Sequence, residues 1–357
     1  MVLELFNILT IVLLILIVFP LIVYLFYNMY PKSKNDNELY DKPINNDPPA
    51  LINSFFISGI NKRVGDINIG SFYITLLDLI NRKYVSVKII TKKNKVAKGE
   101  KSQNKSVLEE GKVLDKIILK INKSSLDKLD SFEKNVLKCL DTLECKGNID
   151  IINTKGLIYK RLKVNTFQKN YDAWMKNFYE EYVKDNKLNF FNKKFNNLLK
   201  IYGYFSIVIF IAASIFSYFE GFYLNIILSF ILGILAVYLV KSSFNLGRWT
   251  NEGKEMGTKW NLFKNYYDKN LNSSNPSQEF LDTGINYLPY LLAMGISKSL
   301  LLDKFSKASE ITDAYLFLKY VEYSLIKDIV IDFLAADGSF DPKYYNTSGN
   351  FLPWVGM

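Results

Sequence analysis

Three segments of the chain are continuously apolar over the length of a membrane-crossing helix. The first covers about 5–27, and the other two cover about 201–219 and 222–240. About 20 consecutive apolar residues are enough for a helix to cross the hydrocarbon core of a bilayer. Only Glu220 and Gly221 separate the last two segments, so their helices must run antiparallel. The pattern therefore predicts an α-helical membrane protein with three spans, the last two forming a hairpin.

The charges beside these segments predict how the chain is oriented. Glu4 precedes the first span, whereas Lys32 and Lys34 follow it, and Lys200 and Lys241 flank the open end of the hairpin. Basic residues beside a span are retained on the cytosolic side. We therefore expect a multi-pass protein of the cell membrane, with its N-terminus outside and its bulk and C-terminus in the cytosol.

The interiors of the three spans contain no charged residue. Proton relays and ion pathways need ionisable groups at that depth, so a transporter is not expected. Small residues occur four apart in each helix of the hairpin, namely Ala213 and Ser217, and Ser229 and Gly233. Small residues let two helix backbones approach closely, so the hairpin helices should pack tightly.

The polar and apolar pattern between the first span and the hairpin is that of a mixed α+β domain. An apolar run at 51–60 is followed by helical spacing at 69–80 and by a β-like segment at 84–90. A basic, polar stretch at 91–106 resembles a loop, and 117–121 resembles a returning strand. Because helix, helix, strand, loop, strand is the order of a winged helix, we expect a winged-helix-like cytosolic domain.

The second half of this domain contains a strong aromatic stripe. Asp130 can cap a helix over 132–143, a short β-like segment follows at 149–152, and a long helix is predicted over 165–184. Its stripe consists of Phe167, Tyr171, Trp174, Phe178 and Tyr182. Such a stripe could stack on single-stranded nucleic acid or form the buried face of an amphipathic helix. Acids beside the stripe, such as Asp172, would repel phosphate and favour the buried face.

A second stripe follows the hairpin, within 244–269. It consists of Trp249, Met256, Trp260, Phe263 and Tyr267. This segment could lie on the inner membrane surface or pack on the winged-helix-like domain, and the sequence favours neither. Further on, 310–336 predicts one long apolar helix, and the end of the chain is irregular.

These patterns divide the chain into five predicted domains. They are an N-terminal transmembrane anchor at 1–30, a linker at 31–50, the winged-helix-like cytosolic domain at 51–200, the transmembrane hairpin at 201–241 and a cytosolic C-terminal helical region at 242–357.

Charge adds support to the orientation. The chain carries a formal net charge of +10, and residues 32–200 alone hold 33 basic and 20 acidic side chains. A basic balance is compatible with nucleic acid, but the positive-inside rule explains it as well. The excess is scattered, and no helix rich in arginine is present to read bases. We therefore expect the lipid bilayer and protein partners, and we do not expect nucleic acid.

The chemistry of the chain excludes several kinds of site. With no histidine, neither a serine triad with a histidine base nor a Cys/His zinc site can form. Cys139 and Cys145 lie in a predicted helix, where a spacing of six points them to different sides, so we expect structural thiols. Gly253-Lys254 lacks the spacing of a phosphate-binding loop. No catalytic, cofactor-binding or metal-binding residue is predicted, no cofactor is expected, and we do not expect an enzyme.

Several short motifs carry a family resemblance. Asp47-Pro48-Pro49-Ala50 precedes a Thr75-Leu76-Leu77-Asp78-Leu79 helix, and Phe132-Glu133 opens the next element. After the paired spans come Arg248-Trp249-Thr250-Asn251-Glu252-Gly253 and Tyr287-Leu288-Pro289-Tyr290, the latter followed by Ala293-Met294-Gly295. In this order, they resemble the predicted membrane proteins of the domain of unknown function 2207 family. The resemblance implies membrane location and this topology, and it implies no activity.

The chain also departs from that family's pattern. Family members usually carry a signal peptide and an exported β-rich domain before the first span, so the resemblance implies either a short form that lacks the exported domain or a chain with a truncated start. Leu291 stands where the family usually has alanine. The role of the segment around Tyr287 and Pro289 does not follow from the sequence.

Three functional hypotheses result from the sequence. The leading one is a non-enzymatic scaffold or signalling component that docks protein partners at the inner membrane face. The alternative is a membrane-tethered nucleic-acid-binding protein. A membrane hydrolase that uses serine and lysine is a third class, because both residue types are frequent throughout the chain.

Overall fold

Helices dominate the structure of this chain. The computed structural model describes residues 2–28, 40–44, 47–56, 67–93, 107–109, 112–145, 147–184, 193–242 and 251–336. The helices are α1 Val2–Asn28, α2 Pro49–Phe56, α3 Ile69–Asn81, α4 Ser131–Thr142, α5 Arg161–Phe178, α6 Lys193–Phe219, α7 Tyr223–Ser242, α8 Asn251–Leu271, α9 Gln278–Gly284, α10 Leu288–Ala293, α11 Lys298–Phe305, α12 Asp313–Tyr320 and α13 Tyr323–Ala335. The strands are β1 Val85–Lys93, β2 Val107–Glu109, β3 Lys112–Ile121 and β4 Ile149–Asp150.

The chain forms two compact units. The first, which we call the helical-hairpin unit, comprises Met1–Glu38, Ser58–Asp66 and Val183–Leu262. The second, which we call the soluble unit, comprises Leu39–Ile57, Ile67–Tyr182 and Phe263–Met357. The five predicted domain boundaries stay a prediction.

Two helices of the first unit are long and apolar enough to cross a membrane. They are the hairpin helices, over Leu198–Phe219 and Tyr223–Val240. The predicted turn is confirmed, and Gly221 takes a φ of +72°, which is a conformation that favours glycine. The predicted first span forms helix α1, whose apolar part is identified over the shorter Phe6–Pro20.

The hairpin helices pack through their small residues, as the sequence predicts. A Cβ at Gly233 would stand 3.0 Å from the ring of Phe210. The hydroxyl groups of Ser214 and Ser229 share a hydrogen bond of 2.7 Å. Helix α1 packs on the same bundle, because Leu13 is buried in one apolar cluster with Ala213 and Leu232. Large apolar side chains point outward instead, among them Val208 and Ile234, which are 64% and 72% exposed.

The soluble unit is built around helix α3. Every residue from Ile69 to Ile80 is buried, so the helix is enclosed on all sides. Asn68 caps its first turn by accepting hydrogen bonds from the backbone N–H groups of Gly70 and Ser71. A small antiparallel sheet follows in the order β1-β3-β2, and the short β4 also pairs with β3. Strand β1 opposes β3 with Val85 paired to Ile121, and a bulge lies at Ile90–Thr91.

Two sequence predictions about local structure are confirmed, with shifted ends. The helix predicted at 132–143 is α4, and Asp130 is its N-cap residue. The helix predicted at 165–184 begins earlier, at Arg161, and its last turn, Tyr179–Lys184, is a π-helix. The predicted loop at 91–106 is partly wrong, because β1 continues to Lys93; the rest, 94–106, lies outside the described residues.

The single apolar helix predicted at 310–336 is wrong. The chain forms two helices, α12 and α13, separated by Val321 and Glu322 in extended conformations. The break is stabilised by side chains from elsewhere, since the Tyr73 hydroxyl and the Lys298 amine both donate to the Val321 carbonyl, at 3.3 and 3.4 Å. Lys298 also forms an ion pair with Glu322 at 2.7 Å. The apolar pattern along the sequence cannot reveal a helix break whose free backbone carbonyl is hydrogen-bonded by residues remote in sequence.

Candidate functional site

Motifs that are far apart in the sequence meet in the soluble unit. The Asp47-Pro48-Pro49 segment starts α2, and the amide of Leu51 donates to the carbonyl of Pro48 at 2.9 Å. The hydroxyl of Tyr290, in the Tyr-Leu-Pro-Tyr motif, donates to the carbonyl of Asp47 at 3.1 Å. The segment whose role the sequence left open therefore holds the entry of α2 in place.

A second link joins α2 to the same C-terminal motif. The side-chain amide of Asn53 donates to the carbonyl of Ala293 at 3.3 Å, and its oxygen accepts from the Ser71 hydroxyl at 3.0 Å. Asn53 and Ser71 are both fully buried. A buried polar group is costly unless it is hydrogen-bonded, so this network fixes α2, α3 and the end of α10 in one arrangement.

Three charged side chains, Asp78, Arg82 and Glu133, form an ion cluster. Asp78 and Arg82 lie one helical turn apart at the C-terminal end of α3, and their side chains pair at 2.8 Å. Arg82 also pairs with Glu133, which lies in the first turn of α4. Glu133 additionally accepts from the backbone N–H of Asp130 at 3.0 Å, completing the capping box of α4. We call this group of three side chains the ion clamp.

Burial decides the protonation behaviour of the ion clamp. Burial raises the pKa of Asp78 to about 6, although Arg82 acts in the opposite direction. Burial likewise raises the pKa of Glu133 against the effect of Arg82. For Arg82, burial alone lowers the pKa, but the two carboxylates outweigh it and raise the pKa overall. A buried carboxylate is costly in its charged form, and a nearby cation compensates only part of that cost.

The ion clamp is closed to substrates. Asp78 and Glu133 are 6% and 4% exposed, and only Arg82, with 37% of its side chain exposed, reaches solvent. Catalytic carboxylates have to reach the group that they protonate or deprotonate. The arrangement therefore suits a structural junction between α3 and α4. Among the described residues, no group of three or more Cys, Asp or Glu side chains is placed to hold a metal ion.

The turn after α3 leads to two open clefts. Lys83 adopts a φ of 65°, and the amide of Tyr84 donates back to the carbonyl of Leu79 at 2.9 Å, which ends the helix in a left-handed cap. The first cleft, of about 530 Å³, is lined by Lys83, Lys120 and Lys123 together with Glu144. The exposed side chains of the three lysines make this cleft basic.

The second cleft, of about 560 Å³, lies on the other side of the same turn, and we call it the acidic cleft. Its lining includes Ile80, Asn81, Lys83, Ser86, Asp282, Ile285, Asn286, Ser309, Glu310, Ile311, Thr312 and Asp313. The side-chain amide of Asn81 donates to the carbonyl of Asn286 at 2.7 Å. The carboxylate of Asp313 accepts from the amide of Val87 at 3.1 Å. These bonds fix its walls to α3 and β1, so the cleft is preformed.

Both aromatic stripes are largely buried. Phe167, Tyr171, Trp174 and Phe178 are each at most 2% exposed, and Trp174 packs edge-on against Phe72 of α3 at 5.3 Å. The interpretation as the buried face of a helix is therefore confirmed for these four residues. Tyr182 instead donates its hydroxyl to Asp130 at 2.6 Å.

In the second stripe, Phe263 and Tyr267 are buried and contact each other, with ring centroids 4.8 Å apart. Tyr267 also packs on Phe280 of α9 and on Tyr287. This end of α8 is thus buried by protein. Its partners are C-terminal helices, whereas the sequence pointed to the membrane surface or the winged-helix-like domain. Trp249 lies outside the described residues.

The cysteines differ from the predicted pair on one helix. Cys139 is buried in α4, where burial raises the pKa of its thiol, but α4 ends at Thr142 and Cys145 is exposed beyond it. Both thiols are free. Gly247 and Arg248, the end of the chain from 337 and most of the linker at 31–50 lie outside the described residues.

The sequence nominated no site residue, although Asp78 and Glu133 of the ion clamp both lie in motifs that carry the family resemblance. One signal was present. Asp78 and Arg82 are an acid and a base four apart at the end of an otherwise apolar helix, a spacing that favours pairing. The third member, Glu133, is remote in sequence, so only the fold could add it.

Comparison with protein families gives one result. The model for "Predicted membrane protein (DUF2207) C-terminal domain" matches residues 36–301, which is more than half of the chain. Comparisons with curated proteins and with solved structures found no match. The matched range contains the Asp-x-Pro-Pro segment, the ion clamp, the hairpin helices and the Tyr-Leu-Pro-Tyr motif. This chain belongs to the DUF2207 family of predicted membrane proteins, whose function is unknown.

Proposed function

We propose that this chain is a non-enzymatic scaffold or signalling component that docks protein partners at the inner face of the cell membrane. The observation that carries the proposal is the burial of the side chains that join the family-like motifs. Asp78, Glu133 and Asn53 hold elements together and are closed to solvent, so they cannot act on a substrate. A rigid soluble unit with open clefts, attached to membrane helices, suits presentation of a binding surface.

In this proposal, α1 is the third span. Its support is a pair of hydrogen bonds between polar groups inside the bundle. The Thr10 hydroxyl donates to the side-chain oxygen of Asn225 at 2.7 Å. The Tyr202 hydroxyl likewise donates to the Leu16 carbonyl at 2.7 Å. Polar side chains facing inward with apolar ones outward are the arrangement expected in lipid, where helices bond to each other through such groups.

The proposal includes the winged-helix-like character of the first part of the soluble unit. Its support is the order α2, α3, β1, β3, in which the two long strands pair antiparallel. Winged helices serve both as DNA-binding and as protein-interaction modules, so the order alone selects no function.

Orientation is tested with a membrane-impermeant maleimide on intact cells. Cys145 is the useful native reporter, because Cys139 is buried and would stay unlabelled on either side. A Gly221→Cys variant reports on the hairpin turn. We expect labelling at position 221 in intact cells and at Cys145 only after lysis. Labelling of Cys145 in intact cells would place the soluble unit outside and refute docking at the inner face.

We place the partner in the acidic cleft. Glu310 is exposed and Ile311 is 39% exposed at its rim, so a basic segment with an apolar side chain would fit there. A photo-crosslinking amino acid at position 311 should capture a defined protein in cells. Glu310→Lys, combined with the probe at position 311, should abolish that adduct. As a control, the same probe placed at exposed Lys138 of α4 should not form it. An adduct that survives Glu310→Lys, or none at position 311, would contradict this placement.

The alternative, a membrane-tethered nucleic-acid binder, is supported by the basic cleft alone. Its three lysines could contact phosphates. Against it, four of the aromatic residues that could stack on bases are buried. Retention of the purified protein on DNA at several salt concentrations decides between the two. Salt-sensitive retention that falls in a Lys120→Gln, Lys123→Gln variant would support the alternative, and its absence would remove it.

A further inference from the structure

Two large apolar side chains, one just before α5 and one in its first turn, are mostly exposed to solvent. Tyr159 is 87% exposed and Leu162 is 81% exposed. Outside α1 and the hairpin, every other large apolar side chain of the described residues is less than half exposed. An isolated exposed apolar residue is ordinary, but two large ones of this degree lie only three residues apart here, and we call them the apolar tip.

The tip is held rigidly. Leu157, two residues before Tyr159, is buried, and its amide donates to the carbonyl of Thr154 at 2.8 Å. Behind the tip, the amine of Lys163 donates to the carbonyls of Thr142 and Glu144, at 2.8 and 2.6 Å, which fasten it to the end of α4. These bonds fix the chain on both sides of Tyr159 and Leu162.

The residues between the two apolar side chains are basic. Lys160 and Arg161 are both exposed, and Arg161 is one of only four arginines in the chain. A tyrosine and a leucine that flank two cations match the boundary of an anionic bilayer, where aromatic rings settle at headgroup depth and cations attract the lipid surface.

The small size of the tip also argues for lipid. A specific protein interface buries about 800 Å² on each partner, far more than two side chains provide. A membrane contact can be much weaker, because the hairpin helices tether the soluble unit to the bilayer. Tethering turns the contact into an intramolecular event with a high effective concentration.

We propose that Tyr159 and Leu162, with Lys160 and Arg161 between them, form a second membrane contact that inserts into the headgroup region of anionic lipid and orients the soluble unit. This contact goes beyond partner docking and rests only on the chain being anchored in a bilayer. If the scaffold role fails, the lipid contact remains measurable.

The test uses the full chain in nanodiscs of zwitterionic lipid or with about a third of anionic lipid added. Nitroxide labels are placed by Tyr159→Cys and, separately, Leu162→Cys in a Cys145→Ser background. Buried Cys139 stays unlabelled, and both labelled positions are so exposed that folding is not threatened. Lys138→Cys, on an exposed face of α4, is the control. Depth is read from the accessibility of each label to oxygen and to a water-soluble nickel chelate.

We expect labels at 159 and 162, and not at 138, to be protected from nickel in anionic discs. Lys160→Gln with Arg161→Gln should return them to water. Equal nickel accessibility at all three positions in both lipids would overturn the proposal. So would protection that appears only after cytosolic extract is added, since that result would assign the tip to a protein partner.

Discussion

Removing the cation of the ion clamp should open the junction between α3 and α4. Arg82 lies between Asp78 and Glu133, which are both buried, so Arg82→Met leaves two carboxylates without their shared partner. Methionine is unbranched and can retain part of the packing of the arginine stem. The change is therefore mainly one of charge.

The magnitude follows from the burial of the carboxylates. Removing one member of a buried ion pair costs about 3–5 kcal/mol, because the remaining charge is uncompensated. Since 37% of the Arg82 side chain is exposed, we expect the lower end, about 3 kcal/mol. That free energy corresponds to an increase on the order of 100-fold in the population of the opened junction.

The pH dependence has a definite sign. Burial raises the pKa of Asp78 to about 6, above its ordinary value of about 3.9 in an unfolded chain. Protonated Asp78 therefore contributes to the free energy of unfolding; this contribution is fully present below about pH 4 and is lost as the pH rises through about 6. Arg82 lowers the pKa of both carboxyl groups, so its removal raises them further. The loss of stability caused by Arg82→Met should therefore be largest near pH 7.5 and smaller near pH 5.

Cys139 supplies the assay. It is buried in α4, where its thiol donates to the Phe167 carbonyl of α5 at 3.8 Å, so maleimide reacts with it when α4 separates from the helices packed on it, which loss of the ion clamp should favour; Cys145→Ser removes the exposed thiol. Labelling rates in nanodiscs are divided by the rate for denatured protein at the same pH, because thiol reactivity itself depends on pH. Lys169→Met, at an exposed lysine of α5, is the charge-removing control and should change the normalised rate by less than about threefold. An unchanged rate for Arg82→Met at pH 7.5, or a deficit that persists at pH 5, would refute the reasoning.

Three further outcomes are expected. A Cβ at position 233 would lie 3.0 Å from the Phe210 ring of the facing helix. Gly233→Leu should therefore destabilise the hairpin by about 1–3 kcal/mol in SDS titrations. Ile234→Leu, at a neighbouring side chain that is 72% exposed, is the control and should be neutral. Thr10→Val should cost about 0.6 kcal/mol, and combining it with Asn225→Leu should cost less than the sum of the two single changes; strict additivity would contradict the hydrogen bond. Lys298→Met removes an ion pair to Glu322 and a hydrogen bond to the Val321 carbonyl, both in the break before α13, so amide hydrogen exchange across α13 should become faster. Exchange at the wild-type rate would show that the break needs neither contact.

Local pattern predicted the elements that depend on neighbours in sequence. The capping residue Asp130, the turn at Gly221 and the helix over 69–80 follow from cap, turn and periodicity rules, and all three are confirmed. That this helix is buried on every side was shown only by the fold. The prediction of one helix at 310–336 was wrong because an apolar run does not show where a remote hydroxyl or amine will satisfy a free carbonyl.

The sequence by itself determined the two helices that are long and apolar enough to cross a membrane, their hairpin and the family, because continuous apolarity and ordered motifs are properties of the chain alone. Tertiary structure alone decided what the motifs do. It brought Tyr290 to the backbone of Asp47, paired Arg82 with Glu133 and left Tyr159 bare at the surface. Partners separated by tens or hundreds of residues leave no periodic signal, since their contacts depend on how whole elements pack. The same packing decides which apolar side chains are covered and which stay exposed.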